Sequence, residues 1–549
     1  MTFPMIPLLV AVHSQTLVDD AYFEMLRTRG AQLATKLADG RPVRMVAFGD
    51  SVTAGWGVDE PAEHTYHELF ATTLRWRYPD SQIEMITEGG PGDSTAVALE
   101  RLNREVIRRS PDLVIVQFGG NDEGQKRKVA DYERDLRAIV EAVVLERIPA
   151  LCIVCTPPMN DPQPDSPYVE AARRVAGALG CVVADLDAAL RNADRDYRGP
   201  FCWGSHPGAF THAIMAKGLL RACDRLLDPQ VDNRGARLSV EVAATERPVS
   251  LGDALTVPVA VQNASADRGS AELLAYTAPG LGAHRRAELD AGQRAAVELD
   301  LGQVLPVPRR RRIIKPVMGL GRLGDQAAFD LKWATLTPAI TADAEGSAQP
   351  TWHTMGAEAI VLGAASWEGP QDLGARFSVT TTDTDRLRLN VEVRDDDLRV
   401  RPLRSDPSMG DSVELYFDCR PPQSQGKPTY TPEVAEVICV APTRDQQPIA
   451  WRPLDDLVAP LNDLRVGGGR TAGGYRLSVE LSLAAVRRTR GEEWSGMGFD
   501  VGINDADRVD WRQTQMIFSG SDLDYVDAGG FAGLYAPSTT PPDYRLTVR

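Results

Sequence analysis

Across residues 42–225 short apolar runs alternate with helical stretches, and this repetition limits the possible fold more than any other feature of the chain. Residues 43–48, 82–87, 112–118, 150–155 and 181–184 read as strands; 65–78, 95–109, 129–146, 168–179 and 212–227 read as helices. Strands that are apolar along their whole length have no face to show to water, so both faces must be covered. Repeated strand–helix units of this kind predict a parallel sheet between two layers of helices. Ligands of such sheets bind beyond the carboxyl ends of the strands, so those turns are where chemistry is sought.

Around residues 228–235 the pattern changes. Short segments at 238–243, 255–262, 271–276, 295–301 and 328–333 are separated by Gly, Pro, Asp and Asn, as in a β-sandwich. A Gly/Ala/Pro-containing stretch at 343–350 marks a further boundary, followed by strand-like segments at 375–379, 386–394, 412–417, 434–440, 475–481 and 498–503. The expected organisation is multidomain: an extension at 1–41, an α/β domain at 42–230, an immunoglobulin-like sandwich at 235–345 and a second β-sandwich at 350–549. A chain of 549 residues is long enough for three cores.

A net charge of −16 argues against nucleic acid as a partner, because a phosphate backbone needs a positive footprint. The one basic run, Arg309 to Arg312, lies among prolines and reads as a solvated connection, with an anionic ligand as the alternative. Seven cysteines, an odd and sparse set, do not make a disulfide framework. Cys152 and Cys155 enclose strand formers and read as core residues, while for Cys419 and Cys439 the sequence leaves pairing across strands open. The apolar residues 3–12 have no basic residue before them, so no secretory signal is expected. The default is a cytoplasmic location, with a periplasmic or secreted one left open. No run approaches the ~18 apolar residues of a membrane span, and the sequence leaves the oligomeric state open.

The turn after the first strand reads Phe48-Gly49-Asp50-Ser51-Val52-Thr53-Ala54-Gly55 and presents Ser51 at a strand end. A serine there is most often a turn residue or helix cap. The second strand runs into Glu88-Gly89-Gly90-Pro91, where a glycine N–H can face a developing oxyanion; the third runs into Gly119-Gly120-Asn121-Asp122, where the Asn121 amide is a further donor. Late in the domain comes Trp203-Gly204-Ser205-His206-Pro207. Serine needs a base to become a nucleophile near neutrality, and His206 is the residue to supply it.

These four segments, in this order, resemble the blocks of the SGNH/GDSL hydrolase superfamily: Ser51 in the first, Gly89 in the second, Asn121 in the third and His206 in the last, with His212 completing an H-P-x-x-x-x-H ending. The resemblance covers about residues 42–228. It implies a flavodoxin-like three-layer fold, a Ser51–His206 centre without cofactor, and an oxyanion hole from Ser51, Gly89 and Asn121. The implied activity is ester hydrolysis, often of acetyl groups on carbohydrates. The family's usual aspartate three residues before the histidine is here Trp203. A backbone carbonyl could orient the imidazole instead; so could Asp185 or Asp187; or the enzyme could be slow or inactive. Trp203 itself could wall a sugar ring or simply pack.

Segments around Asp395-Asp396, residues 410–418, residues 473–480 and Gly502-Ile503-Asn504-Asp505-Ala506-Asp507 resemble the family nine carbohydrate-binding module. That resemblance implies a sugar partner, with Trp511 and Tyr525 as the contacts and a purely structural sandwich as the alternative, and calcium at the acids of 395–397 and 505–507, which otherwise read as turn formers. The leading expectation is a glycan deacetylase. Hydrolysis of another substituent (a phosphoester-linked group or a lipid acyl chain) and weakly active glycan binding are the competitors.

Overall fold

The computed structural model describes residues 24–548 except 59–60, 146–149, 159–165, 194–200, 203–205, 228–236, 279–280, 305–312, 324–325, 348, 402–405, 422–423, 445, 452–462, 492, 508–510, 521–523, 526 and 538–540. Trp203, the arginine run and residues 3–12 therefore lie outside the described residues.

The chain divides into two compact units. The first contains the expected parallel sheet, of strands β1 (Val43–Gly49), β2 (Ile83–Gly89), β3 (Leu113–Gln117), β4 (Leu151–Cys155) and β5 (Val182–Ala184), in the order β2-β1-β3-β4-β5. This doubly wound order reverses direction beside β1, which opens a crevice at the carboxyl ends of β1 and β3. Every residue of β3 and β4 is buried, as continuous apolar strands require. Helices Thr95–Glu105, Val129–Leu145 and Pro167–Ala178 share a core with Val46, Phe48, Val114, Val116 and Val154. Helix Ala209–Leu227 packs with Tyr66–Arg77 and Leu186–Asn192. Register decides what the crevice holds, because Gly49 stands opposite Gly89 on one side and Gln117 on the other. The three turns that follow β1, β2 and β3 therefore start at one level.

The same unit includes Val257–Leu301 and Pro316–Lys332. Here Gly269–Ala278 pairs antiparallel with Leu281–Leu289, a strand that apolar patterning does not predict. Its Arg285, Arg286 and Glu288 keep it polar, and backbone pairing to its neighbour makes it a strand.

The second unit, with Ala244–Thr256, Gly302–Lys315 and Trp333–Arg549, is largely β-sheet and mostly antiparallel. One sheet runs His353–Met355, Leu373–Thr381, Arg386–Asp395, Gly474–Ser482 and Arg465–Thr471. In the other, Ser412–Asp418 lies between Val434–Val440 and Gly496–Asp505. Phe377, Val391 and Leu477 of the first share one apolar core with Leu415, Val437 and Phe499 of the second. The open question of a Cys419–Cys439 pair is answered by the register, which puts Cys439 opposite Val413; both thiols are free and buried. Among the described residues, no helix is long and apolar enough to cross a membrane.

Candidate active site

Ser51 opens a one-turn helix, Ser51–Ala54, seated directly on the sheet. Asp50 caps it, its carboxylate accepting from Val52 N at 2.9 Å. Burial pushes the Asp50 carboxyl up to about 7. The seat explains the glycine at 89: a Cβ there would lie 2.3 Å from the backbone nitrogen of Ala54. A Cβ on Gly49 would lie 2.0 Å from Thr53 Oγ1. Only two bare strand ends let the turn settle low enough to present the serine.

His206 Nε2 lies 3.0 Å from Ser51 Oγ. A two-residue ladder, Phe201–Cys202 with His206–Pro207, delivers the imidazole just ahead of the Ala209–Leu227 helix. Partial burial lowers the His206 pKa from its ordinary value, which favours the neutral ring a base requires. His212 has a different position: its Nδ1 accepts from Tyr66 N at 3.0 Å, and the two rings stack at 5.9 Å. Fully buried, it is pushed down to about 3 and joins two helices as a neutral residue.

The structure places neither expected acid on His206. Asp185 caps the Leu186–Asn192 helix through Ala188 N at 2.9 Å and holds Arg173 Nε at 2.9 Å. Asp187 is buried beside Arg191, 2.9 Å away. Both carboxylates serve the turn beyond β5, which charge alone at the sequence level did not reveal.

Gly89 ends β2, and Gly90 N donates to Gly49 O at 2.9 Å. Asn121 lies in the short helix Gly120–Gly124 after β3, its Nδ2 donating to Asp93 O at 3.0 Å. The turns after β2 and β3 are thus tied to each other. Asp122, fully buried, strengthens the tie by accepting from Thr95 N at 3.1 Å and Thr95 Oγ1 at 2.8 Å while pairing with Arg127. Arg101 fastens the turns after β1 and β2, donating to Gly49 O at 2.7 Å, Glu88 O at 3.1 Å and Asp93 Oδ2 at 2.7 Å. Its guanidinium also lies 4.5 Å over the Phe48 ring. Sequence reading missed Arg101, because two of its partners are backbone carbonyls at the ends of other strands. It also missed Trp56, whose ring centroid stands 5.4 Å from that of His206; the signal was an aromatic residue between two glycines just past the serine.

In the second unit Trp511 and Tyr525 are both exposed. Asp395, Asp411 and Asp505, all buried, converge from three strand ends with carboxylate oxygens within 4.8 Å of one another, and Asp372, Asp396 and Asp507 form a second such group. Burial pushes Asp505 up to about 8 and raises Asp395 and Asp411 as well, with the neighbouring acids adding to each. Among the described residues, the buried Asp505 Oδ1 and the hydroxyl of Tyr475 have no hydrogen-bond partner.

Residues 47–214 match the GDSL-like Lipase/Acylhydrolase family. Esterase TesA of Pseudomonas aeruginosa is 26% identical over 138 residues, 25% of this chain and 64% of that esterase, so the chain spans just under two thirds of it. An acetylxylan esterase of Geobacillus stearothermophilus is 22% identical over 206 residues, 33% of this chain and 94% of the relative. Among solved structures, the α/β hydrolase LAE5 from the metagenome of Lake Arreo, Spain, is 22% identical, with a TM-score of 0.29, over 34% of this chain and 96% of its own. The segment at residues 47–214 is a GDSL/SGNH hydrolase domain, of the ester-hydrolase type.

Proposed function

We propose that this protein cleaves carboxylic esters through Ser51 and His206, and that its substrates are acetyl groups on a glycan. The 3.0 Å approach of the serine oxygen to the imidazole carries the reading. His206 accepts the Ser51 proton as the oxygen attacks the ester carbonyl, and the tetrahedral oxyanion forms beside Ser51 N–H, Gly89 N–H and the Asn121 amide. The imidazolium then protonates the leaving alcohol, and water, activated by the same ring, releases the acid. Likeness to an acetylxylan esterase supports the glycan reading. The test is hydrolysis of p-nitrophenyl acetate and of acetylated xylan by the wild type and Ser51→Ala. A fall in kcat of at least about 10³ is expected; undiminished hydrolysis by the variant would refute the assignment.

Exposed Trp511 and Tyr525 support a second reading, in which residues 350–549 form a carbohydrate-binding sandwich that contributes glycan binding with or without fast catalysis. In that unit the donors of Asp395, Asp411 and Asp505 are all oxygen, the set a calcium ion takes. The unpartnered Asp505 Oδ1 fits such an ion, which would neutralise the buried charge. Its role there is structural, and no step of the hydrolysis passes through it.

A further inference from the structure

The residue nearest to an unassigned role in the catalytic crevice is Trp56. It follows the serine helix directly: Gly55, at φ 84°, ends that helix, and Trp56 N donates to Ser51 O at 3.0 Å. Gly57 follows at φ 83°. Left-handed glycines on both sides of a tryptophan turn the chain sharply out and back, so the indole is held at the tip of a tight loop. About half of the residue's surface (48%) is exposed, although the same domain buries Trp76 almost completely. The indole is tilted 45° to the imidazole at 5.4 Å between centroids.

The chemistry of the site fixes which part of a substrate meets this ring. His206 must reach the leaving oxygen to protonate it, whereas in the proposed mechanism the acyl oxygen turns to the oxyanion donors instead. A group packed beside the imidazole therefore faces the alcohol half of the ester. We propose that Trp56 is a specificity-determining wall for the leaving alcohol, and that it selects alcohols with a flat C–H face, of which a pyranose ring is the class. The electron-rich face of an indole attracts such weakly positive hydrogens. This inference rests on the Ser51–His206 reading.

The test uses the full-length chain and two acetyl esters that differ only in the alcohol: a methyl mono-O-acetyl-xylopyranoside and ethyl acetate. Trp56→Ala is expected to raise KM for the pyranoside about tenfold, the size of one lost aromatic contact. Its kcat for the pyranoside and its kcat/KM for ethyl acetate should stay within about twofold, and Trp56→Phe should recover most of the loss. Equal losses on both esters, or an unchanged KM for the pyranoside, would each overturn the proposal. Failure of the underlying reading shows separately, as hydrolysis of both esters that survives Ser51→Ala.

Discussion

Both units gather carboxylates at the ends of their strands, yet they treat the charge in opposite ways. In the hydrolase domain Asp122 is held by Arg127, and Asp93 by Arg101, so the acids of the turns after β2 and β3 carry their own counter-charge, while Asp50 is held as a helix cap. In the β-rich unit, among the described residues, no ion pair reaches Asp395, Asp411 or Asp505, and all three are driven toward their protonated forms. The first arrangement is organised before any ligand arrives. The second depends on protons or a cation from outside to become comfortable, because buried like charges cannot all ionise cheaply.

The largest effect that would sharpen this contrast is at the reacting pair. His206→Ala should lower kcat/KM by at least about 10³ with no change in calcium response, measured by ester hydrolysis and thermal melts. Asn121→Ala should cost about 10²–10³ in kcat, less if the tie to Asp93 matters more than the oxyanion. Arg127→Ala leaves the fully buried Asp122 without its counter-charge and should destabilise the hydrolase domain by about 3 kcal/mol in chemical denaturation; a neutral result would show that Thr95 alone balances it. For the acid cluster, folded pKa values above the unfolded ones mean that the native state holds extra protons. Stability of the ion-free protein should then fall as pH rises from about 4 through the Asp505 value of about 8. Calcium should offset that loss at pH 8, and Asp505→Asn should raise the ion-free melting temperature there by about 2–4 °C while removing most of the calcium response. The smallest effect concerns His206. Its lowered pKa places the acid limb of kcat/KM below the free-imidazole value of 6.5. Asp50→Asn, which keeps a capping side chain, removes the other group titrating nearby, so the limb that persists belongs to the imidazole.

The sheet of the hydrolase domain could be read from the chain because its strands are short, apolar and regularly interrupted by helices, and β1 to β5 lie within a few residues of the expected segments. Ser51 and His206, which the structure brings within 3.0 Å, could be picked out because each follows or precedes an element whose end is visible in the sequence. Arg101 could not, since beside its ion pair with Asp93 it holds the carbonyl oxygens of residues 49 and 88, and nothing about an arginine in a helix announces a backbone partner. Asp185 and Asp187 were visible as acids close to the right strand, but the arginines that engage them, Arg173 and Arg191, come from two different helices. Strand Leu281–Leu289 escaped because pairing rather than apolarity defines it.

The bare α-carbon of Gly89 has a practical corollary for anyone reshaping this enzyme. With Ala54 pressed against it, the pitch of the serine turn is locked to the second strand, so a library that varies position 89 mostly samples broken catalysts. Diversity is better directed to the loop tip at Trp56, where half the side chain already faces solvent and a new shape meets the incoming molecule without disturbing the nucleophile.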